Sequence, residues 1–230
     1  MELTNQQGAI FDLDGTLIDS LWIWEKADGE VLKKHGFWPD EAYFEAVRHR
    51  NYGQCLDYIL ERYQLPLSRE ALSEEIYELA FQEYDAIDHL KPGAKEYLHQ
   101  LKEAGVHLAM ATACLRPICE RVLQNLEVFS LFETILYSDE FGKNKTEPDI
   151  YLAAAQKLGL PPEQMVVFED VDQAVRSAKR AGMITVGVGD PFWEKYDDAL
   201  RVQADYYITD FWPQSTGGLP LGKPVAEKEA

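Results

Sequence analysis

Two aspartates two positions apart are the first residues of this sequence whose placement indicates chemistry. Asp12 and Asp14 follow the apolar run Ala9-Ile10-Phe11 and precede Gly15-Thr16. An apolar run that ends in a glycine turn predicts a buried strand, and open parallel sheets bind ligands beyond the carboxyl ends of their strands. Because the chain leaves the strand here, the two side chains can diverge into separate roles. One carboxylate could attack a substrate while the other moves a proton.

Further polar groups follow two other apolar runs. Thr112 ends the run that starts at Leu108, and Glu169-Asp170 end the run that starts at Val166. Lys145 lies between these two segments in the sequence, in a loop that leads to a helix. Together these residues supply a nucleophile, an acid, a hydroxyl donor, a cation and a metal-binding carboxylate. Phosphoryl transfer requires this set of groups.

Five short apolar runs predict the strands that would position these groups. They are Ala9–Phe11, His107–Ala111, Thr134–Tyr137, Met165–Phe168 and Ile184–Val188. Helical patterns separate the later runs, with apolar faces between Ile118 and Leu126, Tyr151 and Leu158, and Ala174 and Ala181. Strands that alternate with helices predict an α/β fold with a doubly wound parallel sheet.

A long insertion follows the first predicted strand. Roughly ninety residues separate Phe11 from His107, far more than a single crossover helix needs. This segment has helical apolar stripes and no convincing strand, so we expect a small helical domain, the cap, over residues 17–90. Lys91-Pro92-Gly93 marks the return of the chain to an α/β core of residues 1–16 and 91–215. The Gly- and Pro-containing residues 216–230 are expected to form a C-terminal extension.

Composition excludes several classes of protein. The 230 residues carry 22 basic and 40 acidic side chains, a net charge of −18, which argues against a nucleic acid or an anionic membrane as partner. No run approaches the ~20 apolar residues that span a bilayer, and the N-terminus lacks a secretory pattern. Three irregularly spaced cysteines do not suit a disulfide framework. We therefore expect a soluble cytoplasmic protein.

The order and spacing of these residues resemble the haloacid dehalogenase superfamily. The motif Asp12-Leu13-Asp14-Gly15-Thr16 after an apolar strand is the most specific element, and Thr112, Lys145 and Glu169-Asp170 follow in the family's order. The resemblance covers about residues 8–212. It is closest to the phosphatase and β-phosphoglucomutase-like branch, whose Rossmann-like core carries a helical cap after the first motif.

The resemblance implies a role for each core residue. Asp12 would be the nucleophile that forms an aspartyl-phosphate, and Asp14 the acid for the leaving oxygen and later the base for water. Mg²⁺ would be held by Asp12, the backbone carbonyl of Asp14 and Asp170. Thr112 and the backbone N–H of Ala113 would bind the transferring oxygens. Lys145 would offset phosphate charge, and Glu169 would bind a metal-bound water or orient Lys145.

Structural roles compete with several of these assignments. Asp12 and Asp14 could be turn or capping carboxylates. Thr112 and Asp170 could each cap the helix that follows. Lys143 competes with Lys145 for the catalytic position, and Glu147 places an extra carboxylate nearby. Cys114 is expected to pack as a small apolar residue without a reactive thiol.

The cap bears on the leaving group and on the choice between hydrolysis and a mutase reaction. It carries 16 acidic and 7 basic residues, and between His35 and Leu90 it has no lysine. A bisphosphate intermediate would find few partners there, and Trp24 stands where the β-phosphoglucomutase branch carries a histidine. Trp24, Arg48 and Arg50 are candidate substrate-binding residues.

We therefore expect a Mg²⁺-dependent phosphatase acting on a small phosphorylated metabolite. A sugar phosphomutase is the alternative, which Arg48 or Arg50 could serve. A dehalogenase fits less well because that branch replaces the second aspartate of the motif. A non-catalytic phosphate-binding or regulatory protein is a further alternative, and the intact set of Asp12, Asp14, Lys145 and Asp170 argues against it.

Overall fold

The computed structural model describes residues 6–47, 50, 52–142 and 145–212. A six-stranded parallel sheet forms the centre of the core, in the order β3-β2-β1-β4-β5-β6. Its strands are β1 (Gly8–Phe11), β2 (His107–Thr112), β3 (Thr134–Tyr137), β4 (Met165–Glu169), β5 (Ile184–Val188) and β6 (Tyr206–Ile208). The predicted doubly wound parallel sheet is confirmed.

Helices connect the strands of the core in the right order for parallel crossovers. The core helices are α5 (Ala94–Glu103), α6 (Arg116–Asn125), α7 (Ser138–Phe141), α8 (Asp149–Leu158), α9 (Asp172–Arg180) and α10 (Asp197–Gln203). Three-residue 3₁₀ turns lie at Phe129–Leu131 and Pro162–Gln164, and a longer one at Pro191–Tyr196.

Four helices lie between β1 and α5. They are α1 (Leu21–Lys34), α2 (Glu41–Val47), α3 (Tyr52–Tyr63) and α4 (Arg69–Asp85). No strand occurs in the described part of this segment, which is the range that the sequence analysis assigns to the cap. The predicted extension, residues 216–230, lies outside the described residues.

The five predicted strands occur within one residue of their expected bounds, and one strand was not predicted. The sixth strand, β6, pairs with β5 at the edge of the sheet. Its sequence, Tyr206-Tyr207-Ile208, is too short to show the alternation or the apolar run from which strands are inferred.

The two chain crossings between core and cap lie side by side. The backbone N–H of Lys91 donates to the Leu17 carbonyl at 2.8 Å. The buried ammonium of Lys91 is 2.5 Å from the Gly15 carbonyl and 2.7 Å from the Asp190 carboxylate. Lys91 therefore ties the end of the cap to the first motif and to the loop after β5.

Aromatic side chains fill one side of the central strand pair. Phe11 on β1 stacks on Phe168 on β4, with ring centroids 4.4 Å apart. Tyr97, Phe132 and Phe211 meet the edges and faces of these two rings. Gly93 has a φ of +78°, and a Cβ there would collide with the backbone of Phe211. This packing fixes the ends of β1 and β4, which precede the predicted site residues Asp12 and Asp170.

We predict that Phe11→Ala lowers the free energy of unfolding by about 3–5 kcal/mol, because it leaves a cavity in the aromatic stack. Urea unfolding measures the difference. Val202→Ala on α10, where the side chain is 55% exposed, serves as control and should cost under about 0.5 kcal/mol. A loss at Phe11 as small as that of the control would contradict the packing described here.

Candidate active site

The carboxyl ends of β1, β2 and β4 bring the predicted core residues together. Phe11 on β1 pairs with Met110 on β2 and with Phe168 on β4, so Asp12 follows β1 beside Glu169. The backbone N–H of Asp12 donates to the Phe168 carbonyl at 3.0 Å. The register of a buried parallel sheet therefore sets the position of Asp12 relative to the acids that follow β4.

Lys145 bridges two of these carboxylates. Its Nζ lies 2.6 Å from Asp12 Oδ1 and 2.6 Å from Glu169 Oε1, and it donates to the Ala111 carbonyl at 3.4 Å. Burial alone would lower the pKa of this ammonium, but the charges of Asp12 and Glu169 outweigh burial and raise its pKa. Lys145 therefore stays protonated and neutralises part of the acidic cluster.

Glu169 is held from two sides. Its Oε1 accepts hydrogen bonds from Lys145 and from the Tyr151 hydroxyl of α8, the latter at 2.7 Å. Its Oε2 is buried and has no hydrogen-bond partner among the described residues. Oε1 therefore orients Lys145, one of the two roles expected for Glu169, while Oε2 keeps no protein partner in the described chain.

Asp12, Glu169 and Asp170 form a buried acidic cluster, with one oxygen of each within 4.8 Å of the others. Like Glu169 Oε2, Asp170 Oδ2 is buried without a hydrogen-bond partner in the described chain. Burial raises the pKa of Glu169 and Asp170 above ordinary carboxyl values, and mutual repulsion adds to the effect. Unpartnered hard oxygens in an electronegative cavity fit a divalent cation.

A glycine permits this approach of the cluster to the first motif. Gly15 has a φ of +77°, and a Cβ at this position would collide with the Asp170 carboxylate and with Leu21. Only glycine combines the left-handed backbone with that space. The sequence Asp14-Gly15 therefore brings the backbone of the first motif against Asp170.

Asp14 lies in a different environment from Asp12. Its Oδ1 accepts hydrogen bonds from the Ser20 hydroxyl at 2.5 Å and from the Tyr84 hydroxyl at 2.6 Å. Burial raises the pKa of Asp14 to about 6, and the Asp12 charge adds to this rise, while the two hydrogen bonds act against it. A carboxyl group poised near neutral pH can both donate and accept a proton.

Thr112 does not cap the helix that follows β2, which was the alternative to a catalytic role. Helix α6 begins after Leu115, and the Thr112 hydroxyl oxygen accepts instead from the Cys114 N–H at 3.0 Å. The Thr112 carbonyl accepts from the Ser138 hydroxyl at 3.1 Å. Thr112 is fully buried, whereas Ala113 lines the cavity described next.

A cavity of about 240 Å³ joins the core cluster to the cap. Its core side includes Asp12, Asp14, Ala113, Lys145 and Asp170. Its cap side includes Leu21, Trp24, Glu25, Asp28, Phe44, Val47, Arg50, Tyr52, Cys55, Leu56, Ile59 and Ile76. Trp24 and Arg50 therefore face the space that a leaving group would occupy, whereas Arg48 lies outside the described residues.

Two neighbours of these residues have simpler roles. Burial raises the pKa of the Cys114 thiol well above its ordinary value, which leaves it protonated and unreactive, as expected. Glu147 is exposed, and its carboxylate lies 3.6 Å from the Arg180 guanidinium. Lys143, the competitor of Lys145, lies outside the described residues.

Four polar residues of the site were not predicted from the sequence. Ser20 and Tyr84 bind Asp14, Tyr151 binds Glu169, and Asp28 lies in the cap wall. Tyr84 and Tyr151 occur in apolar helical stripes, where a tyrosine cannot be distinguished from a core residue. The carboxylates that their hydroxyls bind are 70 and 18 positions away in the sequence, so no local pattern reveals these two hydrogen bonds.

Comparison with known proteins identifies the family. A family model described as haloacid dehalogenase-like hydrolase matches residues 9–188. The chain belongs to this family. Validoxylamine A 7'-phosphate phosphatase of Streptomyces hygroscopicus subsp. limoneus is 28% identical over 89% of this chain and 96% of its own length. Hexitol phosphatase A of Escherichia coli K12 is 32% identical over 80% of this chain and 84% of its own.

The fold has solved counterparts. The crystal structure of β-phosphoglucomutase from Clostridium difficile matches with a TM-score of 0.77 at 24% identity, over 91% of this chain and 93% of that one. The predicted family and fold are confirmed, and so is the predicted class, a phosphoric monoester hydrolase. Among the described helices, none has the length and apolar character needed to cross a membrane.

We predict that Mg²⁺ at about 100 times its Kd raises the unfolding temperature by about 5–10 °C, because it neutralises the carboxylate cluster. Asp170→Asn should abolish this shift, since it removes one charge and one ligand oxygen. Thermal unfolding with and without Mg²⁺ provides the measurement. A full shift in the variant would exclude Asp170 from the metal site.

We predict that Tyr84→Phe lowers kcat about 10-fold with little change in KM, because Asp14 loses one of its two hydroxyl donors. Steady-state kinetics separates the two constants. Tyr77→Phe, on the same helix and with no hydrogen bond in the described structure, is the matched control. Equal kinetics for both variants would show that Tyr84 does not position Asp14.

Proposed function

We propose that the protein is a Mg²⁺-dependent phosphatase that hydrolyses a small phosphomonoester through an aspartyl-phosphate on Asp12. The observation that carries this proposal is the pairing of Asp12 with Lys145 at 2.6 Å, next to a second carboxyl group of different environment. One carboxylate forms an ion pair with a buried ammonium group, and burial raises the pKa of the other to about 6. These are the properties that a nucleophile and an acid–base group need.

In the first half-reaction, a carboxylate oxygen of Asp12 attacks phosphorus and the bond to the leaving oxygen breaks. Protonated Asp14 gives its proton to that oxygen, so the leaving group departs as an alcohol. Lys145 offsets the repulsion between the Asp12 carboxylate and the phosphate dianion. Ser20 and Tyr84 hold Asp14 in place during this transfer.

In the second half-reaction, water attacks the phosphorus of the aspartyl-phosphate. Asp14, now ionised, accepts a proton from this water, and the bond between phosphorus and Asp12 breaks. Inorganic phosphate leaves, Asp12 is again a carboxylate and Asp14 is again protonated. The Ala113 N–H and the Thr112 hydroxyl are the proposed donors to the transferring oxygens.

Asp12, Glu169, Asp170 and the Asp14 carbonyl are the groups that would hold Mg²⁺. The cation would supply Lewis-acid stabilisation to the phosphoryl oxygens. Asp12 and Asp170 are common to the sequence-based set and to the acidic cluster, whereas Glu169 belongs to the cluster alone. The unpartnered oxygens of Glu169 and Asp170 support this assignment.

A mutase is the second candidate, because the β-phosphoglucomutase structure shares the fold. A mutase must hold a second phosphate in the cap. Among the described lining residues, Arg50 is the one cationic side chain on the cap side, and its guanidinium stacks on the Tyr58 ring at 4.5 Å. The remaining cap lining is apolar or acidic, which favours hydrolysis.

Phosphate release from a panel of phosphorylated metabolites, with and without Mg²⁺, tests the proposal. We expect Mg²⁺-dependent release that Asp12→Asn lowers by at least about 1,000-fold, because the variant lacks the nucleophile. Asp198→Asn, an exposed residue of α10, serves as control and should match the wild type.

Hexose 1-phosphates belong in the same panel. Efficient conversion to the 6-phosphate with little release of phosphate would favour the mutase. Equal Mg²⁺-dependent release by Asp12→Asn and by the control Asp198→Asn would contradict the role of Asp12.

A further inference from the structure

Asp28 is an acidic residue buried in the apolar wall of the cavity. It lies on α1 with Leu21, Trp24 and Glu25, at the spacing that places side chains on one helix face, and all four line the cavity. Only 6% of Asp28 is exposed. Its carboxylate therefore faces the space between cap and core from within the cap.

One protein donor satisfies part of this carboxylate. The Tyr43 hydroxyl of α2, itself fully buried, donates to Asp28 Oδ2 at 2.5 Å. No cationic side chain of the described chain forms an ion pair with Asp28. A carboxylate can accept about four hydrogen bonds, and burial of one with few donors is costly.

The surroundings of Asp28 are aromatic and aliphatic. Trp24, Phe44, Leu56, Ile59 and Ile76 line the same cavity. Burial in this environment raises the pKa of Asp28 to about 7, against the lowering effect of the Tyr43 hydrogen bond. An apolar core would be served better by a leucine at this position, unless a ligand brings a donor to the carboxylate.

We propose that Asp28 binds a hydrogen-bond donor on the leaving group and so selects the substrate class of the proposed phosphatase. The class is a phosphomonoester whose leaving group is a single ring with hydroxyl or ammonium donors and no second anionic group. This inference rests on the proposed function and deepens it.

Three features of the cavity support that class. Trp24 and the aliphatic side chains offer flat apolar contacts to the faces of a ring. Glu25, which lines the cavity next to Asp28, adds a second acidic group that repels anions. The volume of about 240 Å³ lies below the roughly 300–1,000 Å³ of pockets for drug-sized ligands, which favours a leaving group of one ring.

A purely structural role is the alternative, in which Asp28 and Tyr43 only join α1 to α2. The two roles differ in what they predict for substrates. A structural pair affects all phosphomonoesters alike when it is removed. A residue that reads the leaving group affects substrates with donors more than substrates without them.

Three substrates that each join a six-membered ring through a methylene group to phosphate separate the two roles. They are glucose 6-phosphate, glucosamine 6-phosphate and cyclohexylmethyl phosphate, which carry hydroxyl donors, an added ammonium group and no donors, respectively. We measure kcat/KM for each with the wild type and with Asp28→Asn. p-Nitrophenyl phosphate reports general phosphatase activity.

We expect the wild type to prefer the two sugars over cyclohexylmethyl phosphate. Asp28→Asn should lower kcat/KM for the sugars by about 10–100-fold more than for cyclohexylmethyl phosphate, because the NH₂ group that replaces one carboxylate oxygen donates and cannot accept a hydrogen bond. A larger loss for glucosamine 6-phosphate than for glucose 6-phosphate would identify the ammonium as the preferred donor. Glu30→Gln, on the exposed side of α1, is the matched control.

If Asp28→Asn fails to fold, Asp28→Leu combined with Tyr43→Phe replaces both partners and leaves no unpaired group. This double variant should lose the same part of the preference for the two sugars over cyclohexylmethyl phosphate.

Equal loss for all three substrates would overturn the inference, as would hydrolysis of p-nitrophenyl phosphate without hydrolysis of either sugar. In both cases the proposed phosphatase would stand. Failure to release phosphate from any compound would overturn the proposed function, and the inference with it.

Discussion

Repulsion among buried carboxylates is the constraint on which the site depends. The sheet brings Asp12, Glu169 and Asp170 together at the ends of two neighbouring strands, where burial and the neighbouring carboxylates raise the pKa of Glu169 and Asp170. Lys145 offsets this repulsion by pairing with Asp12 and Glu169. Two carboxylate oxygens nevertheless keep no partner among the described residues. The same imbalance that costs stability therefore suits the site to a cation.

In the mechanism that we propose, the cap contributes to the chemistry as well as to selection. Tyr84 reaches from α4 to Asp14, so a helix of the cap segment donates a hydrogen bond to the carboxyl group that we propose as the acid–base group. Lys91, where the chain returns from the cap to the core, binds the Gly15 carbonyl and the Asp190 carboxylate. Alignment of Asp14 is therefore coupled to the position of the cap.

The sequence predicts the core of the site better than its surroundings. Asp12, Asp14 and Asp170 follow strands whose apolar runs are unmistakable, and the parallel register brings strand ends together. Tyr84 and Asp28 could not be predicted, because helix packing within the cap decides where they point. A buried tyrosine in an apolar stripe and an acidic residue on a helix have ordinary structural explanations. The edge strand β6 was not predicted, because three residues are too few to show the alternation of apolar and polar residues that indicates a strand.

The central claim is that Asp12 becomes covalently phosphorylated during turnover. Acid quenching of the enzyme with a substrate and Mg²⁺, followed by mass spectrometry of its peptides, tests it most directly. The account predicts one added phosphoryl group on the peptide that contains Asp12, absent from Asp12→Asn. Phosphate release at full rate with inversion of configuration at phosphorus and no modified Asp12 would contradict it, since that result requires direct attack by water.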